Sequence, residues 1–220
     1  MTTAYTSQHE ESFPTAPQGT EAFNESTGEI HDSRKKIGLL AGNDISTAIL
    51  LNTVVPKLVQ AGFKPVLYMA EHRPSKKASA KQPELQELAF YERYLTNNVL
   101  YPMLERIDPQ LDENEKPRTD IMYTPRHLAE VYELDIEDVA DINAPEFTSK
   151  VAADKDMPLL ISVRCYQIAH DELIAAQTEK TVELRKDKTG KGAIWNMHPG
   201  KLPEYQGIFG PLYAMNDLQR

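Results

Sequence analysis

The stretch "KKIGLLAGND" constrains this chain more than any other. Ile37 to Leu40 carries no polar side chain, as a strand buried on both faces requires. Gly42 ends the run, and Asp44 or Ser46 is placed to cap a helix behind it. Ile45, Ile49, Val55, Leu58 and Val59 give that helix one apolar face, which Pro56 is expected to kink or restart. Gly62 falls where a helix C-terminus favours glycine. A second apolar run, "KPVLYMA", follows from Pro65 to Ala70. Strand, helix and strand within about 35 residues form a βαβ unit, which commits the chain to a parallel sheet.

The rest of the pattern extends that sheet. "EHRPSKKASAKQP" reads as a polar linker. A long helix is expected from Glu84 to about Arg106, with Leu85, Leu88, Tyr91, Leu95 and Val99 at helical spacing. Asp108 to Thr119 is a charged, Pro-bearing loop. Thr124 before Pro125 predicts a capped helix to Tyr132, and a second short helix covers Pro145 to Ala153. Met157 to Val163 reads as another central parallel strand, and His170 to Gln177 as the helix behind it. "TVELRKDKTGKG" reads as a loop or insertion, "AIWNM" as the last strand, and the chain from Gly207 as helical.

Composition narrows the function. Residues 1–34 hold one branched aliphatic, Ile30, and six acids against Arg34, so the segment lacks the apolar surface to offset its ordering entropy. It is expected to be a disordered acidic tail, with one α/β domain over 35–220. The net charge is −9 with no basic stripe, which disfavours nucleic acid as a partner. No apolar run approaches membrane-spanning length. Cys165 is the single cysteine, so no intrachain disulfide forms and a cytoplasmic location is expected. The scattered histidines show no metal-ligand spacing, and "GLLAGND" lacks dinucleotide-site spacing.

Chemistry concentrates at "WNMHPGKLPEYQG". Residues i and i+2 of a strand share a face, so Asn196 and His198 project together at a carboxyl strand end, where open α/β sheets bind ligands. An amide donates to a developing oxyanion, and an imidazole moves a proton near neutral pH. Pro199 and Pro203 stiffen the loop behind them. The pair fits acyl-type transfer to nitrogen; a turn cap beside a hydrogen-bonded histidine is the plainer alternative.

The segment resembles the Asn-x-His-x-x-x-Leu-Pro-x-(aromatic)-x-Gly signature of the 10-formyltetrahydrofolate-dependent formyltransferases. Asn196, His198, Pro199, Leu202, Pro203 and Gly207 fall in register. The "YQG" ending and "ISVRCYQI" upstream are most similar to the branch that N-formylates nucleotide-linked amino sugars. The resemblance implies a Rossmann-like fold and 10-formyltetrahydrofolate as co-substrate, with no metal. It implies that Asn196 holds the formyl oxygen and that His198 is the acid/base. It further implies that Cys165, Tyr166, Gln167, Ile168 and Met197 line the folate pocket, while Leu202 and Gly207 shape the loop. Core packing is the alternative for Cys165 and Ile168.

The family also has a catalytic aspartate well downstream, and only Glu204 and Asp217 follow His198 here. The expectation is therefore the front part of a longer enzyme. The expected acceptor is a small amine, and a homo-oligomer is left open. The rival readings are a formyltetrahydrofolate hydrolase, a methionyl-tRNA formyltransferase and a non-catalytic folate-binding fragment.

Overall fold

The computed structural model describes residues 21–23, 30–32, 34–72, 83–118, 120–185 and 193–197. Strands β1 (Glu21–Phe23) and β2 (Ile30–Asp32) pair antiparallel, inside the segment whose composition argues against fixed structure. Five further strands build one parallel sheet: β3 (Lys36–Ala41), β4 (Lys64–Ala70), β5 (Asp135–Val139), β6 (Leu159–Val163) and β7 (Ile194–Met197). Their spatial order is β5-β4-β3-β6-β7. The chain thus lays down β4 and β5 on one side of β3, then crosses back to place β6 and β7 on the other. This is the Rossmann-like α/β architecture expected from the sequence.

Strand alternation sorts the core into two layers. Ile37, Leu39, Ala41, Leu67, Met69, Ile161 and Val163 face helices α1 (Ile45–Gln60) and α4 (Pro125–Val131). Leu40, Val66, Tyr68 and Leu160 face α5 (Pro145–Ala153) and α6 (Asp171–Arg185). Leu39, Leu67 and Leu160 have no solvent exposure, and full burial of each such side chain stabilises the fold by about 1.5–3 kcal/mol. Gly38 keeps the second layer tight. A Cβ there would stand 2.4 Å from Leu160 Cδ2 and 2.7 Å from Met157 Sδ.

Several elements differ from expectation for physical reasons. Helix α1 runs through Pro56 as one element, capped by Asp44 rather than Ser46: the Asp44 carboxylate accepts from the Thr47 amide. The long helix is present but not uniform. It comprises α2 (Pro83–Ala89), a π-helical stretch Phe90–Leu100 and α3 (Tyr101–Leu104). Strand β5, "DIEDV", has no apolar alternation to reveal it. It is an edge strand on which Asp135 and Asp138 meet Lys64 and Arg126. Helix α6 continues past Gln177 to Arg185, taking in residues expected to form a loop. Lys180 and Thr181 are buried there and hold the α5–β6 connection: Lys180 Nζ donates to the Val151 carbonyl, and Thr181 Oγ1 donates to that of Pro158 at 2.8 Å. The linker 73–82 and the chain beyond Met197 lie outside the described residues.

Two outcomes check this packing. Gly38→Val lowers unfolding free energy by about 1–3 kcal/mol in urea titrations, because two core side chains must move. Burial holds the Lys180 ammonium down at a pKa of about 8. From that pH up to the lysine's ordinary value, the folded chain has released this proton while the unfolded chain retains it. This lysine's contribution to stability therefore rises with pH across that window and is lost as pH falls through about 8. Lys180→Met removes that rise, seen as the difference between the two proteins' pH–stability curves.

Candidate functional site at the carboxyl edge of the sheet

The order of the strands fixes where a site can form. The connection reverses direction at β3, so a crevice opens between the carboxyl ends of β3 and β6. Gly42, Asn43 and Asp44 leave β3 on one side of it. Arg164, Cys165, Tyr166 and Gln167 leave β6 on the other. Gly42 is required by close approach: a Cβ at that position would lie 2.5 Å from the Arg164 carbonyl oxygen.

Arg164 organises the crevice. Its φ of 50° lies in the left-handed region, which costs a residue with a Cβ about 1–2 kcal/mol. That turn brings its guanidinium between two carboxylates. Nε lies 3.6 Å from Asp44, and an Nη lies 3.5 Å from Glu92. The same guanidinium donates to the Tyr166 hydroxyl at 3.1 Å. Asp44 is fully buried, so its charge depends on the α1 amide it caps and on Arg164. The π-helical stretch closes the near side. Asn97 donates to the Asn43 carbonyl and Tyr101 to the Asp44 carbonyl.

Tyr166 forms the aromatic wall. The Arg93 guanidinium lies 5.3 Å from its ring centroid, and His72 meets it edge-on at 5.2 Å. Burial, and then the nearby Asp44 carboxylate, push the Tyr166 phenol up to about 12. It is a neutral hydrogen-bonding group throughout the physiological range. Burial and Arg93 hold His72 below the usual imidazole value. Burial pushes the Cys165 thiol up, away from the thiolate that covalent catalysis needs.

The residues singled out from the sequence separate into distinct places. Asn196 is exposed on the last turn of the edge strand β7, opposite Ser162 of β6. Met197 packs against the α1–α4 layer, whereas Ile194 packs against the α5–α6 layer. Alternation therefore puts Asn196 on the face away from Met197. Cys165 is half-buried beside the α5–α6 layer, and Ile168 is 82% exposed. Gln167 is buried and ties the edge together. Its amide nitrogen donates to the Glu71 and Ala140 carbonyls at 2.8 and 2.9 Å, and its oxygen accepts from the Ile142 amide at 3.0 Å. His198, Leu202 and Gly207 lie outside the described residues.

Asp44, Glu92 and Arg93 belong to the crevice but carry no sequence motif. Asp44 was legible only as a helix cap, and Glu92 and Arg93 only as polar positions of a helix. On the β4–β5 side a second cleft, of about 220 Å³, is lined by Asn43, Met69, Asn97, Tyr101, Glu105 and Asp138. Among the described residues there is no cluster of His, Cys, Asp or Glu able to hold a metal ion, and no helix long and apolar enough to cross a membrane.

Paired substitutions at Asp44 separate its two duties. Asp44→Asn keeps a capping oxygen but removes the charge facing Arg164, and Asp44→Ala removes both. Both variants are less stable than wild type, with the alanine variant lower by about 1 kcal/mol more. Thermal unfolding followed by circular dichroism measures the order.

No family model matches the chain, and no curated protein matches it. One solved structure with a related course of the backbone is the crystal structure of glycinamide ribonucleotide transformylase 1 from Symbiobacterium toebii. The two share 13% sequence identity at a TM-score of 0.40, over 87% of this chain and 66% of that one. This chain therefore spans just under two thirds of the length of that transformylase.

Proposed function

We propose that this chain carries the catalytic edge of an enzyme that transfers the formyl group of 10-formyltetrahydrofolate to an amine. One observation carries the reading: Asn196 stands exposed near the carboxyl end of a parallel strand, with Met197 between it and "HPGKLPEYQG". An amide exposed in that position can donate at the sheet edge where ligands of open α/β folds bind.

The chemistry follows from residue types. The acceptor amine attacks the formyl carbon, and the carbonyl oxygen becomes an oxyanion to which the Asn196 amide donates. His198 takes the proton from the attacking nitrogen and delivers it to N10 as the carbon–nitrogen bond to tetrahydrofolate breaks. Tyr166 and Ile168 offer part-exposed apolar surface to a planar ring at the end of β6. Gln167 acts through the backbone it holds rather than through a free amide. The chemical class of acceptor we favour is a nucleotide-linked amino sugar, on the resemblance of "YQG" and "ISVRCYQI" to that branch.

Incubation of the full-length gene product with 10-formyltetrahydrofolate and a panel of amines tests this. The expected result is a formylated amino sugar. Replacing Asn196 by Ala lowers turnover by about 10²–10³-fold, and replacing His198 by Ala by about 10²–10⁴-fold. Free formate released without an acceptor, or formylation of methionyl-tRNA alone, overturns the acceptor assignment. Folate binding with no turnover, unchanged by His198→Ala, overturns the enzyme reading altogether.

A further inference from the structure

A small pocket lies where the end of α3 meets the start of α4. Leu104, Ile107, Pro109, Ile121 and Met122 supply its apolar lining, and its volume is about 170 Å³. A cavity of about 150 Å³ is enough for one benzene ring.

Hydrogen bonds elsewhere hold this space open. The Asn52 carboxamide of α1 clasps the Tyr123 main chain, accepting from its amide and donating to its carbonyl, each at 2.8 Å. The Tyr123 hydroxyl accepts from the Arg118 amide at 2.9 Å and donates to the Gln110 carbonyl. Leu111 and Pro117 bridge the loop between those two residues. Tyr123 is thus a buried wall fixed at three points. Small-molecule sites are usually preformed in this way.

The buried polar side chain of the pocket is His127. It is 8% exposed, and its main-chain amide donates to Thr124 Oγ1 at 3.2 Å. Among the described residues none hydrogen-bonds its ring. The fully buried side-chain atoms without a partner, among the described residues, are Thr148 Oγ1, Arg164 Nε and Gln177 Oε1. Neither imidazole nitrogen is one of them, so the ring nitrogens open onto free space. The space that His127 lines is this pocket. A polar group so deep in an apolar wall is costly until something polar meets it.

The lining also selects the ligand. It contains no Lys or Arg, and Arg118 on the adjoining loop is committed to Asp120 and Gln110. Asp108 belongs to the wall, so a carboxylate or phosphate would meet a like charge. The Met122 sulfur and the Tyr123 ring favour an aromatic guest. A hydroxyl donates to an imidazole acceptor and accepts from an imidazole donor, so it pairs with either tautomer of His127.

We infer that this pocket binds a small uncharged phenol, its ring against Leu104, Ile121 and Met122 and its hydroxyl on the His127 imidazole. The site shares no residue with the crevice around Arg164 and stands whether or not the formyl-transfer reading does.

Methyl NMR of the 220-residue chain, labelled at methionine, tests it, with the Met122 signal assigned through Met122→Leu. Phenol is expected to shift that signal saturably, with a dissociation constant of about 1 mM or below. Toluene has the same size without the hydroxyl and binds about 10-fold more weakly or worse, and benzoate does not bind. His127→Leu removes the preference for phenol and leaves toluene binding in place. Ile121→Trp fills the pocket and abolishes both, with an unchanged circular dichroism spectrum. N-acetyltyrosinamide binds more weakly than phenol, because a pocket of this size has no room for its backbone. The inference is overturned by the lack of a saturable Met122 shift at about 20 mM phenol, by toluene binding as tightly as phenol, or by a phenol preference that survives His127→Leu. N-acetyltyrosinamide binding as tightly as phenol also overturns it, since the site then serves a tyrosine side chain rather than a free small molecule.

Discussion

The parallel pairing of β3 with β6 is the constraint on which the remaining structure depends. Ile37 to Ala41 lie beside Leu159 to Val163, although more than a hundred residues separate them in sequence. Closing so long a loop is costly in entropy, and the return comes from two apolar layers that neither half of the chain could bury alone. The pairing also creates the reversal of strand order at β3. The crevice, the capped start of α1 and the Arg164 turn all sit at that reversal.

The two ends of the sheet are built differently. Near the amino end of β6, Gln177, Lys180 and Thr181 are buried polar groups engaged with one another or with main-chain carbonyls. At the carboxyl end the side chains are part-exposed, charged and arranged around Tyr166. Most hydrogen bonds at the first end run to main-chain carbonyls, while the buried Gln177 Oε1 has no partner among the described residues. At the second they run between groups that can change partners. Stability is concentrated at one edge and adaptable chemistry at the other, which is the division an open α/β sheet permits.

Much of the architecture was legible in the residues. The uninterrupted apolar runs of β3, β4 and β6 and the Thr124–Pro125 and Pro145 helix starts are local signals, and local physics decides them. β5 was not legible, because an edge strand bearing Asp135, Glu137 and Asp138 has no hydrophobic period to display. The extension of α6 was hidden for a related reason: Lys180 and Thr181 look solvated in sequence and are buried only because α5 and the start of β6 offer them carbonyls. The π-winding leaves no compositional trace. At the site, the strand carrying Asn196 was legible as an apolar run, while His198 lies outside the described residues. Asp44, Glu92 and Arg93 were invisible as a group, since the contacts that unite them with Arg164 and Tyr166 join three distant stretches of chain.

Gln167 shows how architecture can masquerade as recognition. One carboxamide bridges the ends of β4 and β5 to the segment following β6. Shortening it would leave three main-chain groups unsatisfied and let those segments drift apart. A mutational survey scored by turnover would then rank this position among ligand contacts, although the defect would be in the masonry holding the real contacts in place. Hydrogen exchange at Ile142, whose amide the carboxamide oxygen receives, is the readout that tells mortar from handle.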